Sequence, residues 1–367
     1  MNYKISEPDK IDSPALVVFP ELVKKNIEHL VSMADDVSRL RPHIKTHKTA
    51  EGIQLMMKAG ISKFKCATIA EAELLGLNNA PDVVLAYQPG GPKLKRFLEL
   101  IKKYPGTEWA CLTDNILSAS AMSDAFAEAG LKISVYIDLN TGMNRSGIVP
   151  GAEVIELYGS ISKMKGIVPK GLHAYDGHQR NPDFAKRKEE TKTSFEAVYV
   201  MQEVLKSKGF SEPVIIAGGS PTFPVHIKSE KIECSPGTCI FWDKGYSDLC
   251  AEQPFTPAAV LLTRVISLPT PERITLDLGH KSVAPENEIG RRVYFPGASE
   301  LKPVAQSEEH LVMETAAGHG FKIGDLLIGI PFHICPTVSM YDRMTTVEDG
   351  KVTGEWRVTA RDRKITI

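Results

Sequence analysis

The segment Arg41-Pro-His-Ile-Lys-Thr-His-Lys48 sets one lysine, Lys45, among His43, His47 and Lys48. Burial and neighbouring cations both depress a lysine pKa, and an amine that has lost its proton can form a Schiff base. Pro42 keeps Arg41 out of the helical region, so the approach to Lys45 reads as extended. Taken alone, the octapeptide also fits a solvated basic loop.

A second group of residues suits a phosphate. Glycines at 218 and 219 let backbone N–H groups approach an anion, and Ser220 and Thr222 add hydroxyl donors. Gly237 and Thr238 supply a second such pair, although a plain turn explains a lone Gly-Gly-Ser equally well. A reactive lysine facing a phosphate cradle describes a site for pyridoxal 5'-phosphate, which needs an imine, a phosphate grip and a ring-packing group. Tyr175 is the candidate for packing on the ring, or else a tyrosine of the core. His178 is a candidate for proton transfer, since histidine titrates near neutrality, or a solvated loop residue. Arg145 is a candidate to hold a carboxylate or the cofactor's phenolic oxygen, with a surface ion pair as the alternative.

The third group is Pro331-Phe-His-Ile-Cys-Pro-Thr337. If this stretch is a strand, alternation puts His333 and Cys335 on one face. Imidazole and thiolate there could hold zinc, manganese or magnesium, with positions left for water or substrate. A buried cysteine beside a hydrogen-bonded histidine is the other reading.

These residues need elements to hold them. Short apolar runs at 41–45, 63–68, 82–87, 108–112, 132–138, 170–175, 214–218 and 232–241 alternate with helical patterns at 50–59, 70–77, 92–103, 115–129, 151–162 and 183–208. Such alternation specifies a parallel sheet with helices outside, and eight strands suggest a (β/α)8 barrel. The candidate residues then fall at strand C-termini and in the loops that follow, where barrels place their chemistry. Beyond the Pro-rich change at 253–257 come strand-like runs at 259–268, 273–278, 310–315, 325–330, 337–346 and 351–360. The expected organisation is a barrel over 20–245 and a β-rich domain over 1–19 and 246–367, with the early strand at 15–19 joining the second sheet.

With 43% hydrophobic and 24% charged residues and a formal charge of −1, the 367-residue chain has the balance of an ordinary globular protein. No strong field invites nucleic acid or an anionic membrane, and no apolar run reaches spanning length. The six cysteines show no paired spacing, which fits reduced thiols and a cytoplasmic location.

Together these motifs resemble the alanine racemase-like, fold-type III pyridoxal-phosphate enzymes, over nearly the whole chain. Within them the resemblance is to the metal-activated D-threonine aldolase and D-serine dehydratase group. It implies that Lys45, not Lys48, carries the cofactor, that Tyr175 stacks on it, and that Gly219, Ser220, Thr222, Gly237 and Thr238 grip its phosphate. It further implies a divalent metal on His333 and Cys335 beside the hydroxyl of a small D-amino acid substrate, and a homodimer. Ser235 stands where alanine racemases place an arginine, which argues against a plain racemase. Cys335 resembles the dehydratases, whereas Tyr175-Asp-Gly-His178 and Ser235-Pro-Gly-Thr238 resemble the aldolases. The leading expectation is a D-threonine aldolase. The alternatives are a D-serine or D-threo-3-hydroxyaspartate dehydratase and a non-catalytic pyridoxal-phosphate carrier.

Overall fold

The computed structural model describes residues 3–367, which form two compact units. One comprises the chain up to His29, Thr46–Gly52 and Thr238–Arg361; the other comprises Leu30–Lys45, Ile53–Gly237 and Asp362–Ile367.

In the first unit, strand β1 (Ala15–Val18) lies in the C-terminal sheet. It pairs antiparallel with β9 (Ala259–Thr270) and parallel with β15 (Arg343–Glu348). The sheet continues from β9 through β10 (Arg273–Leu276) and β13 (Leu311–Glu314) to β12 (Lys302–Gln306), and from β15 to β16 (Lys351–Arg357). Strand β14 (Leu326–Pro331) also pairs with β9 and carries the two-residue β11 (Val293–Tyr294). Alternate residues Val17, Phe19, Val260 and Leu262 point to one face and build a core with Ile330 and Val347. The strand expected over 337–346 is corrected: a short helix, Ile334–Val338, precedes β15.

The second unit is a parallel sheet in sequential order: β2 (Lys63–Cys66), β3 (Asp82–Leu85), β4 (Glu108–Thr113), β5 (Ile133–Leu139), β6 (Ile167–Ala174), β7 (Val214–Ala217) and β8 (Ile232–Cys234). The expected first strand, 41–45, is reduced to isolated bridges, Leu40 with Cys234 and His43 with Lys65, both parallel. Those bridges join β8 to β2, so seven strands and one bridging segment complete the curled barrel. The last strand is three residues, not ten, because Pro236 cannot donate to a ladder. Helices cover the outside, several started by side-chain caps: Thr68, Asn115 and Asp183 each accept from a backbone N–H of the first turn.

Inside the barrel, residues two apart share a face. Lys63 and Lys65 therefore both point inward, as do Glu233 and Ser235. The lower layer is ionic. Arg41, buried, donates to Asp82 at 2.6 and 3.0 Å and to Glu233 at 2.7 Å, and Lys63 pairs with Glu233. Four residues before Lys45, this clamp ties the bridging segment to both neighbouring strands. None of the six cysteines forms a disulfide. Among the described residues, no helix is long and apolar enough to cross a membrane.

Candidate active site

Lys45 follows the bridging segment directly, and its backbone N–H donates to Nδ1 of His43 at 3.2 Å. Its side chain lines a cavity of about 580 Å³ at the strand C-termini, with Lys65, Asp138, Arg145, His173 and Tyr175 also in the wall. Three sequence candidates, Lys45, Arg145 and Tyr175, thus meet around one space. The guanidinium of Arg145 lies 4.8 Å from the centroid of the Tyr175 ring.

Glycines fix that ring. A Cβ at Gly219 would sit 3.2 Å from the Tyr175 ring, and one at Gly177 would come within 2.4 Å of its hydroxyl. The turn after β7 needs Gly218 as well, whose φ of +82 suits glycine. Asp176, wholly buried, wires this turn from below. Its Oδ1 accepts from the Gly219 N–H at 3.2 Å and the Thr222 hydroxyl at 2.8 Å, and its Oδ2 lies 2.6 Å from Nε2 of His226. Burial opposes ionisation of Asp176, but His226, Thr222 and Gly219 outweigh it and hold the carboxyl below the usual range. Thr222 therefore spends its one hydroxyl proton on Asp176 and shapes the turn. Ser220 is buried within the same turn, and Gly237 lies in the segment after β8.

Asp138, at the end of β5, accepts from the Ser146 hydroxyl at 2.8 Å through Oδ2, and its Oδ1 lies 2.7 Å from Nδ1 of His173. Burial pushes the Asp138 carboxyl up, yet His173, Ser146 and Arg145 bring it below its ordinary value. Burial likewise keeps His173 below its ordinary value, against the pull of Asp138. The pair is a carboxylate and a neutral imidazole with its proton on Nδ1. Nε2 then carries the lone pair, and it faces the ammonium nitrogen of Lys65 at 3.5 Å. Lys65 also donates to Oγ of Ser235 at 2.5 Å. Burial first, and then the charge of Lys45, lower its pKa to about 7.

His178 lies outside this wall. It packs over Gly142, where a Cβ would meet Nε2 at 2.9 Å, and Nε2 is 3.2 Å from the Gln179 amide. Its Nδ1 is buried with no hydrogen-bond partner.

The third group belongs to the other unit. His333 and Cys335 do not alternate along a strand: His333 is the N-cap of the helix Ile334–Val338, and Cys335 lies in its first turn. The Ile334 N–H donates to Asp243, and proline at 336 suits a first turn, whose N–H groups have no helical partner. Nδ1 of His333 lies 2.5 Å from Glu286, which leaves Nε2 for a metal. The Cys335 sulfur is 3.1 Å from the hydroxyl of Thr46, the residue after Lys45 in the chain, and 3.8 Å from that of Thr238. Burial disfavours a charge on His333, but Cys335, Glu286 and Asp243 raise its pKa to about 9. That negative surrounding suits a cation. Among the described residues no group of three or more His, Cys, Asp or Glu side chains is arranged to hold a metal ion, and His333 and Cys335 offer an imidazole and a thiol.

Sequence reasoning passed over Lys65, His173, Asp176 and Glu286. Spacing alone puts Lys63 and Lys65 on one face of their strand without identifying that face as the barrel interior.

Comparison with known proteins adds the following. Residues 20–244 match the family model described as alanine racemase, N-terminal domain, and residues 258–347 match one described as "Putative serine dehydratase domain". A D-threonine aldolase from Arthrobacter sp is 27% identical over 361 residues, covering 96% of this chain and 93% of the relative. A 3-hydroxy-D-aspartate aldolase from Paracoccus denitrificans is 24% identical, with 97% and 94% covered. The crystal structure of D-threonine aldolase from Filomicrobium marinum superposes with a TM-score of 0.89 at 24% identity, covering 98% of each chain, and supports the fold.

Proposed function

Because the chain belongs to the alanine racemase N-terminal domain family, we propose that it is a pyridoxal-phosphate-dependent lyase of D-3-hydroxy amino acids, specifically a D-threonine aldolase yielding glycine and an aldehyde. The observation that carries this reading is the cavity in which Lys45, Tyr175 and Arg145 converge. The residues fit the cofactor: Gly177 and Gly219 make room for the Tyr175 ring, and that ring lines the same cavity as Lys45 and Arg145.

When bound, pyridoxal phosphate supplies an electron sink for the pair of electrons released at Cα. Lys45 would hold its aldehyde carbon, Tyr175 its ring, and Ser220, Gly237 and Thr238 its phosphate, on a turn that Gly219, Thr222 and Asp176 shape. Arg145 is placed to bind the substrate carboxylate or the cofactor's phenolic oxygen. His333 and Cys335 would hold a divalent cation, zinc, manganese or magnesium, to polarise the substrate hydroxyl. His178, whose Nδ1 lacks a partner, is assigned to accept the proton of that hydroxyl. A homodimer rests on the resemblance alone.

A second reading, D-serine or D-threo-3-hydroxyaspartate dehydratase, is favoured by the second family model, whose span includes both His333 and Cys335. In that reaction Lys45 Nζ would take the α-proton, and a 2-oxo acid and ammonia would leave.

The test is the visible spectrum of protein reconstituted with pyridoxal phosphate, before and after Lys45→Ala, with turnover of the His333→Ala, Cys335→Ala double variant alongside. Loss of the visible band with Lys45 and of turnover with the ligands is expected. A double variant with unchanged turnover overturns the metal role, and absence of any turnover in the metal-supplemented parent makes the chain a carrier.

A further inference from the structure

Lys65 lines the cavity and the proposed chemistry leaves it unused. Only 2% of it is exposed, it sits on β2, and its Nζ lies 5.6 Å from the centroid of the Tyr175 ring. Its two hydrogen-bonding neighbours can only accept from it. The Ser235 hydroxyl directs its own proton to the Ala217 carbonyl at 3.3 Å. His173 has its proton on Nδ1, toward Asp138, and turns a lone pair to Lys65. An ammonium has three N–H donors, so two are spent on Ser235 and His173 and a third remains. Lys65 also lines the cavity, where that third donor can be used.

The side of the cavity follows from Ser235. Its hydroxyl also lies 3.5 Å from the carbonyl of Gly218, in the turn proposed to hold the phosphate. In pyridoxal phosphate the ring nitrogen is opposite the aldehyde carbon and one atom from the carbon bearing the phosphate arm. With the aldehyde on Lys45 and the phosphate in that turn, the ring nitrogen would face the side of the cavity that Ser235 and Lys65 share.

We propose that Lys65, aimed by Ser235 and His173, is the donor that meets the ring nitrogen of the cofactor and keeps that nitrogen unprotonated. This rests on the function proposed above. Lys65 is thus a cofactor-binding residue that tunes the ring, distinct from the lysine that carries it.

The experiment compares the affinity of the apoprotein for pyridoxal phosphate and for its 1-deaza analogue, in which a C–H replaces the ring nitrogen. Both are titrated by fluorescence quenching, with the linkage first located by borohydride reduction and peptide mapping. The parent is expected to bind the analogue roughly tenfold or more weakly, the size of one charge-assisted hydrogen bond, and Lys65→Met to bind the two alike. Should Lys65→Met fail to fold, Ser235→Ala carries the comparison: it keeps the amine but removes its anchor, and is expected to reduce the preference severalfold. Reduction trapped on Lys45 with no preference for the natural ring overturns this proposal alone, as does a preference unchanged in both variants. Trapping on Lys65 overturns it by giving the amine another task. Trapping on no lysine removes the cofactor reading and this proposal with it.

Discussion

Nδ1 of His173 lies 2.7 Å from Oδ1 of Asp138, and the second oxygen of that carboxylate accepts from Ser146 at 2.8 Å. The carboxylate thereby fixes which nitrogen of His173 is protonated, and so which face it turns to Lys65. Asparagine keeps one acceptor and puts a donor in place of the other, so Asp138→Asn can still accept from His173 but forces the Ser146 hydroxyl to turn from donor to acceptor and removes the negative charge. Asp138 also favours the charged form of Lys65. The variant is expected to lose about tenfold in kcat/KM, the scale of one buried hydrogen bond to a charge. Its Lys65 amine should lose its proton at a lower pH, which competitive lysine labelling across pH would report.

Gly219→Ala places a methyl group 3.2 Å from the Tyr175 ring, tight enough that the ring must shift. The expected result is a folded protein with weakened binding of pyridoxal phosphate, by roughly two- to tenfold, if the displaced ring costs about one aromatic contact. Gly177→Ala, with a contact of 2.4 Å, should weaken it further. Unfolding midpoints measured without cofactor separate this loss from a general loss of stability.

Acid should unfold the barrel through Asp176 and its like. The folded-state pKa of Asp176 is depressed, so its contribution to stability is complete above the unfolded value of about 4 and is lost as pH falls through the lower folded value. Asp82 behaves alike, because Arg41 outweighs the burial that would raise it. Urea midpoints measured from pH 6 down to pH 2 should fall steeply only below about pH 4, and Asp176→Asn should flatten that fall.

Arg41 is the mechanical anchor of the Lys45 segment, and Arg41→Ala leaves Asp82 and Glu233, only 15% and 12% exposed, facing each other without it. Removing one partner from a buried ion pair costs about 3–5 kcal/mol. Chemical denaturation should show a loss on that scale.

The barrel was legible because short strand-like runs alternate with helical patterns along the chain; Pro92–Lys103 forms as the pattern specifies. The meeting of Lys45, Arg145 and Tyr175 was legible because barrels gather strand ends. What escaped depended on contacts distant in sequence. Lys65 reads as a solvated lysine until β8 brings Ser235 to it, 170 positions away. Asp176 looks like a loop residue until His226 and Thr222 close on it. His333 and Cys335 were read with strand spacing because Pro331-Phe-His-Ile follows an apolar run. The Asp243 carboxylate accepting the Ile334 N–H starts a helix there instead.

Glu286 touches His333 and should orient it toward a metal. Glu286→Gln is expected to weaken metal binding about 10- to 100-fold without altering cofactor affinity, as outer-shell partners of metal ligands do. Isothermal titration with zinc and with manganese would measure it.

The most direct measurement is the product formed by the purified, metal-supplemented holoprotein from D-threonine, with D-serine assayed in parallel. Glycine and acetaldehyde from D-threonine, abolished by Lys45→Ala, are the expected result. A 2-oxo acid and ammonia from either substrate, with no glycine, would contradict the aldolase assignment and make the chain a dehydratase.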